Sequence, residues 1–165
     1  MGMKLRITAI KPKPIDPDVY AKEIEHEYDL LAKDIKRDLE AITRTWVHKV
    51  KFNVRKTRRS GMLGITVTTS DKIFGYVNFG TEPHVIKPKK SSVLAFQSKY
   101  KAKTRPGWIG SQPGGPYGET VFAKEVQHPG SEARKFDVAI AQRRQKTLQS
   151  RMNRRLALVA RKNRG

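Results

Sequence analysis

Residue types able to do chemistry are few in this sequence, and they are not spaced for catalysis. The four histidines, His26, His48, His84 and His128, fall at two helical positions and two turns. No two of them have the i, i+4 spacing through which a helix presents paired imidazoles to zinc. Cysteine is absent, which excludes thiolate metal sites and a disulfide framework and agrees with folding in a reducing compartment. No GxSxG elbow, P-loop or dinucleotide glycine pattern occurs, and the neighbouring acids lie in one helical segment where a solvated face accounts for them. The residues therefore predict no catalytic group, no metal and no cofactor. What remains is cationic and aromatic. Arg55-Lys56-Thr57-Arg58-Arg59 suits either a phosphate backbone or the solvated shoulder of a hairpin turn. Tyr100, Trp108 and Tyr117 stud a basic, glycine-rich stretch, as anchors for a partner do.

Charge points the same way. With 35 Lys and Arg against 15 Asp and Glu, the 165-residue chain carries +20, more than solubility requires, and it needs an anionic partner. Residues 16–40 hold nine acids and four bases, a balance of −5 that leaves +25 on the rest. One copy is thereby suited to attract its neighbour. Beyond Asp137 no acid follows, while Arg143, Arg144, Lys146, Arg151, Arg154, Arg155, Arg161, Lys162 and Arg164 supply nine bases. No apolar run approaches the roughly 20 residues of a membrane span, and Met1–Pro14 lacks the apolar core of a signal peptide, so a soluble, non-membrane protein is expected.

Periodicity supplies the elements that must position these groups. Leu5 and Ile7 alternate with polar residues as in an edge strand. Asp16-Pro17 reads as a helix start. Tyr20, Ile24, Tyr28, Leu31, Ile35, Leu39, Ile42 and Trp46 then form one helical stripe, suited to packing on a sheet. The period changes to two at Val50, Phe52 and Val54 and again at Leu63, Ile65 and Val67, which predicts half-buried strands. Ile73–Phe79, aromatic and β-branched, reads as a more central strand, and Val93–Phe96 and Val121–Val126 as further ones. Gln97–Thr120, rich in glycine and proline, predicts a long loop, mobile in the free protein. Phe136, Ile140, Leu148, Met152, Leu156 and Val159 form a second helical stripe interrupted by Arg144. The expectation is one α+β domain over residues 1–165: an N-terminal helix and a basic C-terminal helix or tail (136–165) on a small, mainly antiparallel sheet, with an extended loop at 97–120.

Two blocks resemble a known family. Tyr76-Val77-Asn78-Phe79-Gly80-Thr81-Glu82-Pro83-His84-Val85-Ile86-Lys87-Pro88, followed by Leu94-Ala95-Phe96, is similar to the FGT-x-PH-x-I-x-P … L-x-F pattern of the tail-completion family of long-tailed bacteriophages. Val121-Phe122-Ala123-Lys124-Glu125-Val126-Gln127-His128-Pro129-Gly130-Ser131, with Phe136 beyond, resembles that family's V-F-A-x-x-V-x-HPG-[ST] … PF. The family is related by role to the minor tail protein Z of phage lambda. Two local departures are the length of Gln97–Thr120 and the Ala133-Arg134-Lys135 approach to the second helix, where the family has proline.

The resemblance implies a non-enzymatic virion protein of the neck, assembled in the host cytoplasm. Copies would form a ring of six that completes the tail and joins it to the head. Its partners would be itself, the head-completion or connector protein, the tail terminator or tail tube protein, and DNA passing through the lumen without sequence-specific contact. In that setting Gly80, Pro83, His84, His128, Pro129 and Gly130 are read as structural turn residues. Tyr100, Trp108 and Tyr117 become contact residues. Arg143, Arg144, Arg151, Arg154 and Arg155 are expected to dock on acidic surfaces of adjoining subunits. The competing reading is a basic nucleic-acid-binding protein, with Phe74 and Tyr76 on a sheet face beside the bases.

Overall fold

The computed structural model describes residues 17–59 and 61–162. The edge strand expected at residues 3–10, the Asp16 cap and Arg164 lie outside the described residues. The fold is α+β, in the order α1 (Pro17–Thr43), β1 (Asn53–Arg59), β2 (Met62–Thr68), α2 (Lys72–Phe79), β3 (His84–Ile86), β4 (Leu94–Lys101), β5 (Gly115–Ala123), β6 (Val126–His128) and α3 (Phe136–Lys162). The strands form three separate two-stranded antiparallel ribbons, β1-β2, β3-β6 and β4-β5, where one small sheet is expected from the alternation. The chain divides into two compact units.

The first unit contains residues 17–39, Phe52–Thr69 and residues 140–162. Its core is the meeting of the two predicted helical stripes. Tyr28, Leu31, Ile35 and Leu39 of α1 are buried, as are Ile140, Leu148, Met152 and Val159 of α3, with Ile65 of β2. Burying each such aliphatic side chain stabilises by roughly 1.5–3 kcal/mol. β1 and β2 pair from Asn53↔Thr68 to Arg59↔Met62, and the Tyr28 hydroxyl donates to the Leu63 carbonyl at 3.1 Å. Burial pushes the Tyr28 phenol above its ordinary pKa. The basic run 55–59 forms the end of β1, on the arm of the hairpin that β1 makes with β2.

The second unit contains Glu40–Lys51 and Ser70–Ala139. Ile42, Phe74 and Phe136 are buried in it, and Phe74 lies 6.1 Å from the Trp46 ring and 5.9 Å from Phe136, centroid to centroid. The segment read as a central strand, Ile73–Phe79, is the helix α2. A short apolar run does not by its composition distinguish a buried strand from a helix, and here the termini decide. Asp71 caps the first turn by accepting from the Phe74 amide at 2.7 Å, and Gly80 ends the last turn at φ 79°.

The expected mobile loop 97–120 is only partly a loop: its two ends belong to β4 and β5, paired from Leu94↔Ala123 to Lys101↔Gly115 across a bulge. Two of its glycines, Gly115 (φ 136°) and Gly118 (φ 92°), lie within β5, Gly118 at the bulge. The connection 102–114 is hydrogen-bonded within itself. The Gln112 amide donates to the Lys103 carbonyl at 2.8 Å, and the Arg105 guanidinium donates to Gln112 Oε1 at 2.9 Å. Ser111 Oγ donates to the Ala41 carbonyl at 2.7 Å, which ties the connection to the end of α1.

Candidate protein-interaction site

The two blocks that carry the family resemblance meet in the second unit. β3 and β6 place His84 opposite His128, Val85 opposite Gln127 and Ile86 opposite Val126. The two imidazoles stack at 5.0 Å with 29° between their planes. His84 Nδ1 donates to the Glu82 carbonyl at 2.8 Å, while His128 Nδ1 accepts from the Gly130 amide at 3.0 Å. The protons of the neutral rings thus sit on Nδ1 of His84 and Nε2 of His128. Both Nδ1 atoms are occupied in holding turns.

Beside this pair, Thr81 and Ser131 exchange backbone hydrogen bonds of 3.0 Å in both directions and a third between their hydroxyls. Each block's glycine packs against the other block's backbone. A Cβ on Gly80 would lie 2.6 Å from the Ser131 carbonyl oxygen, and one on Gly130 would collide with that of Thr81. Both have positive φ, so glycine is needed for conformation and for space.

Asn78, which the sequence did not single out, ties this junction to α3. It is 2% exposed. Its Oδ1 accepts from the Phe136 amide at 2.7 Å and the Asp137 amide at 3.4 Å, and its Nδ2 donates to Asp137 Oδ1 at 3.1 Å. A side chain 58 residues away in sequence thereby supplies the cap of α3. In return the Arg134 and Lys135 amides donate to the Val77 and Asn78 carbonyls at the end of α2, each at 3.0 Å.

The arginines of α3 are placed differently from the expectation. Arg144 grips Asp38 through two hydrogen bonds, Nε to Oδ2 at 2.6 Å and Nη2 to Oδ1 at 2.5 Å, and lies 3.5 Å from Asp34. Arg151 donates to Asp34 at 2.8 Å and its Nε sits 3.1 Å from Glu27 Oε2, too poorly aligned for a hydrogen bond. Arg155 pairs with Glu23, and Arg143 lies 3.9 Å from Asp38. Only Arg154, of the five expected at an interface, is exposed without such an ion pair among the described residues. The acids at 23, 27, 34 and 38 and the bases at 155, 151 and 144 repeat on the same faces as the apolar stripes. They pair in reverse order because the helices run antiparallel.

The remaining acids of α1 meet β1. Lys56 lies 2.8 Å from Asp29 and 3.1 Å from Glu25, and Arg58 2.5 Å from Glu25. The hydrogen bonds from Lys56 and then Arg58 hold the Glu25 carboxyl below its ordinary range, and that from Lys56 does the same for Asp29. Lys56 is correspondingly raised by Asp29 and Glu25, and Arg144 by Asp38. Six acids of the negative segment, Glu23, Glu25, Glu27, Asp29, Asp34 and Asp38, thus pair with bases of the same chain, and Glu27 and Asp38 are buried instead of solvated.

The three aromatic residues expected to make partner contacts are distributed over the ribbon β4-β5 and its connection. Trp108 packs over Gly110, with the Arg105 guanidinium 5.7 Å above its ring, and keeps 39% of its surface exposed. Tyr100 borders a cleft of about 300 Å³ lined also by Trp46, Val47, Ile73, Val77 and Lys103. Tyr117 is on β5 and exposed. Along α2 the side chains of Ile73, Tyr76 and Phe79 are exposed too, an apolar row on one helical face.

Among the described residues no group of three or more His, Asp or Glu is arranged to hold a metal ion, and no helix is long and apolar enough to cross a membrane. Compared with family models, curated proteins and solved structures, the chain matches none.

Proposed function

We propose that the chain is a structural subunit of a bacteriophage neck, with no catalytic activity, whose copies form a ring that completes the tail and joins it to the head. The observation that carries this reading is the convergence of the two resembling blocks. Residues 76–88 and 121–131 are far apart in sequence, yet their glycines, histidines and hydroxyls interlock residue against residue. A motif pair kept for a joint structural purpose behaves in this way, and the histidines serve as turn-holding groups within it.

The basis of assembly shifts from the one expected from charge. With six acids of α1 already paired within the chain, attraction between an acidic and a basic segment of adjacent copies has less to act on. The apolar row Ile73, Tyr76 and Phe79 is better suited to be buried between copies, since interface cores favour aromatic residues over charge. Electron microscopy of phage particles made without this protein tests the reading: DNA-filled heads and separate tails are expected. Normally joined virions from the deletion strain would end it.

A further inference from the structure

The two faces of the ribbon β4-β5 are chemically different. The register puts Ala95, Gln97, Lys99 and Lys101 of β4 on one face, with Phe122, Thr120 and Tyr117 of β5 directly opposite Ala95, Gln97 and Lys99. A 3.3 Å hydrogen bond from Gln97 Nε2 to Thr120 Oγ1 runs across that face and fixes it. Phe122 is 68% and Tyr117 53% exposed, and both lysines are exposed as well. Their charge is uncommitted: unlike Lys56, Arg144, Arg151 and Arg155, neither Lys99 nor Lys101 joins an ion pair among the described residues. The one acid of the two strands, Glu119, falls at the bulge.

We propose that this face binds single-stranded nucleic acid, with bases stacked on Phe122 and Tyr117 and phosphates held by Lys99 and Lys101. Four residues along β4 separate the positions opposite the two rings, about 13 Å at the rise of a strand, with a polar floor of Gln97 and Thr120 between them. The lysines, two residues apart on the same side, are about 7 Å from each other. Exposed rings interleaved with unpaired lysines are how sequence-tolerant single-strand sites are built, because every base has a face to stack while the backbone supplies the charge. A duplex hides its base faces, and an acidic protein surface would use the lysines but leave both rings without a stacking partner. The proposal does not rest on the neck reading, and joined virions from a deletion strain would leave it standing.

Its test is fluorescence anisotropy of the full-length protein with a labelled oligodeoxythymidylate of about 20 nucleotides at low salt, where phosphate contacts are strongest. Tyr117→Ala and Phe122→Ala should each weaken binding roughly tenfold, within the range for loss of one stacked base. Phe122→Leu, which keeps an apolar side chain but no ring, should weaken it similarly while circular dichroism stays unchanged. Lys99→Gln with Lys101→Gln should lower the slope of log affinity against log salt by about 1.4, at about 0.7 per phosphate. Failure of the wild type to bind the oligonucleotide would overturn the proposal. So would wild-type affinity in all three ring variants, or displacement of the oligonucleotide by equal amounts of duplex DNA or polyglutamate, which would mark the face as a plain polyanion or acidic-protein site.

Discussion

Replacing Asp38 by Asn keeps its size but leaves the Arg144 guanidinium facing a neutral amide in a site where the two side chains are only 7% and 10% exposed. Both charge-assisted hydrogen bonds, at 2.5 and 2.6 Å, are weakened at once. Removing one partner of a buried pair costs about 3–5 kcal/mol, because the other charge stays desolvated. The surroundings set where in that range this pair falls. Arg144 retains Asp34 at 3.5 Å, and in the reciprocal variant Arg144→Met the carboxylate retains Arg143 at 3.9 Å. A loss of about 3 kcal/mol is expected for each single variant. In urea, with a slope of roughly 2 kcal/mol per molar, the unfolding midpoint should fall by about 1.5 M with the slope unchanged. The double variant Asp38→Leu with Arg144→Met removes both charges and should unfold near the wild-type midpoint, since an apolar pair of similar volume has no desolvation penalty. Asp38 raises the already high pKa of Arg144, so the contribution of that shift is lost as pH rises through the raised value, far above neutrality, and the midpoints can be compared at neutral pH. A single-variant cost under about 1 kcal/mol, or a double variant as unstable as the two singles summed, would refute the view that α1 and α3 are registered by this pair.

Two further outcomes follow from other contacts. Asn78→Ala removes the cap of α3 and leaves buried amides unsatisfied, at a cost of about 2–4 kcal/mol, so the thermal midpoint should drop by roughly 5–15 °C, and a change below about 2 °C would show that the cap is dispensable. Glu25 and Asp29 have lowered pKa values through Lys56, so their contribution is present above the unfolded carboxylate range and lost as pH falls through the folded values. Between about pH 5 and pH 3, wild-type protein should therefore lose more stability than Lys56→Met, with the gap narrowing in high salt, and parallel curves for the two proteins would sink the assignment.

The sequence by itself determined the two long helices, because an apolar stripe sustained over many turns has no other use than burial on one face: Leu31, Ile35 and Leu39, with Leu148 and Met152, are core residues as their spacing requires. It also determined the hairpin β1-β2 in outline, and it marked Gly80 and Gly130 as turn residues, since only a few residue types reach those backbone angles. The identity of α2 was legible only at its ends, through Asp71 and Gly80, because a short, mainly apolar run fits either period. Where Arg144, Arg151 and Arg155 spend their charge was decided by tertiary structure alone. A guanidinium on a helix face is equally suited to solvent, phosphate or carboxylate, and only the antiparallel packing of α3 beside α1 brings Asp38, Asp34, Glu27 and Glu23 within reach. The same holds for Asn78 and for the pairing of His84 with His128. These contacts join residues more than forty positions apart, and local propensity carries no information about which distant backbone will arrive to accept or donate a hydrogen bond.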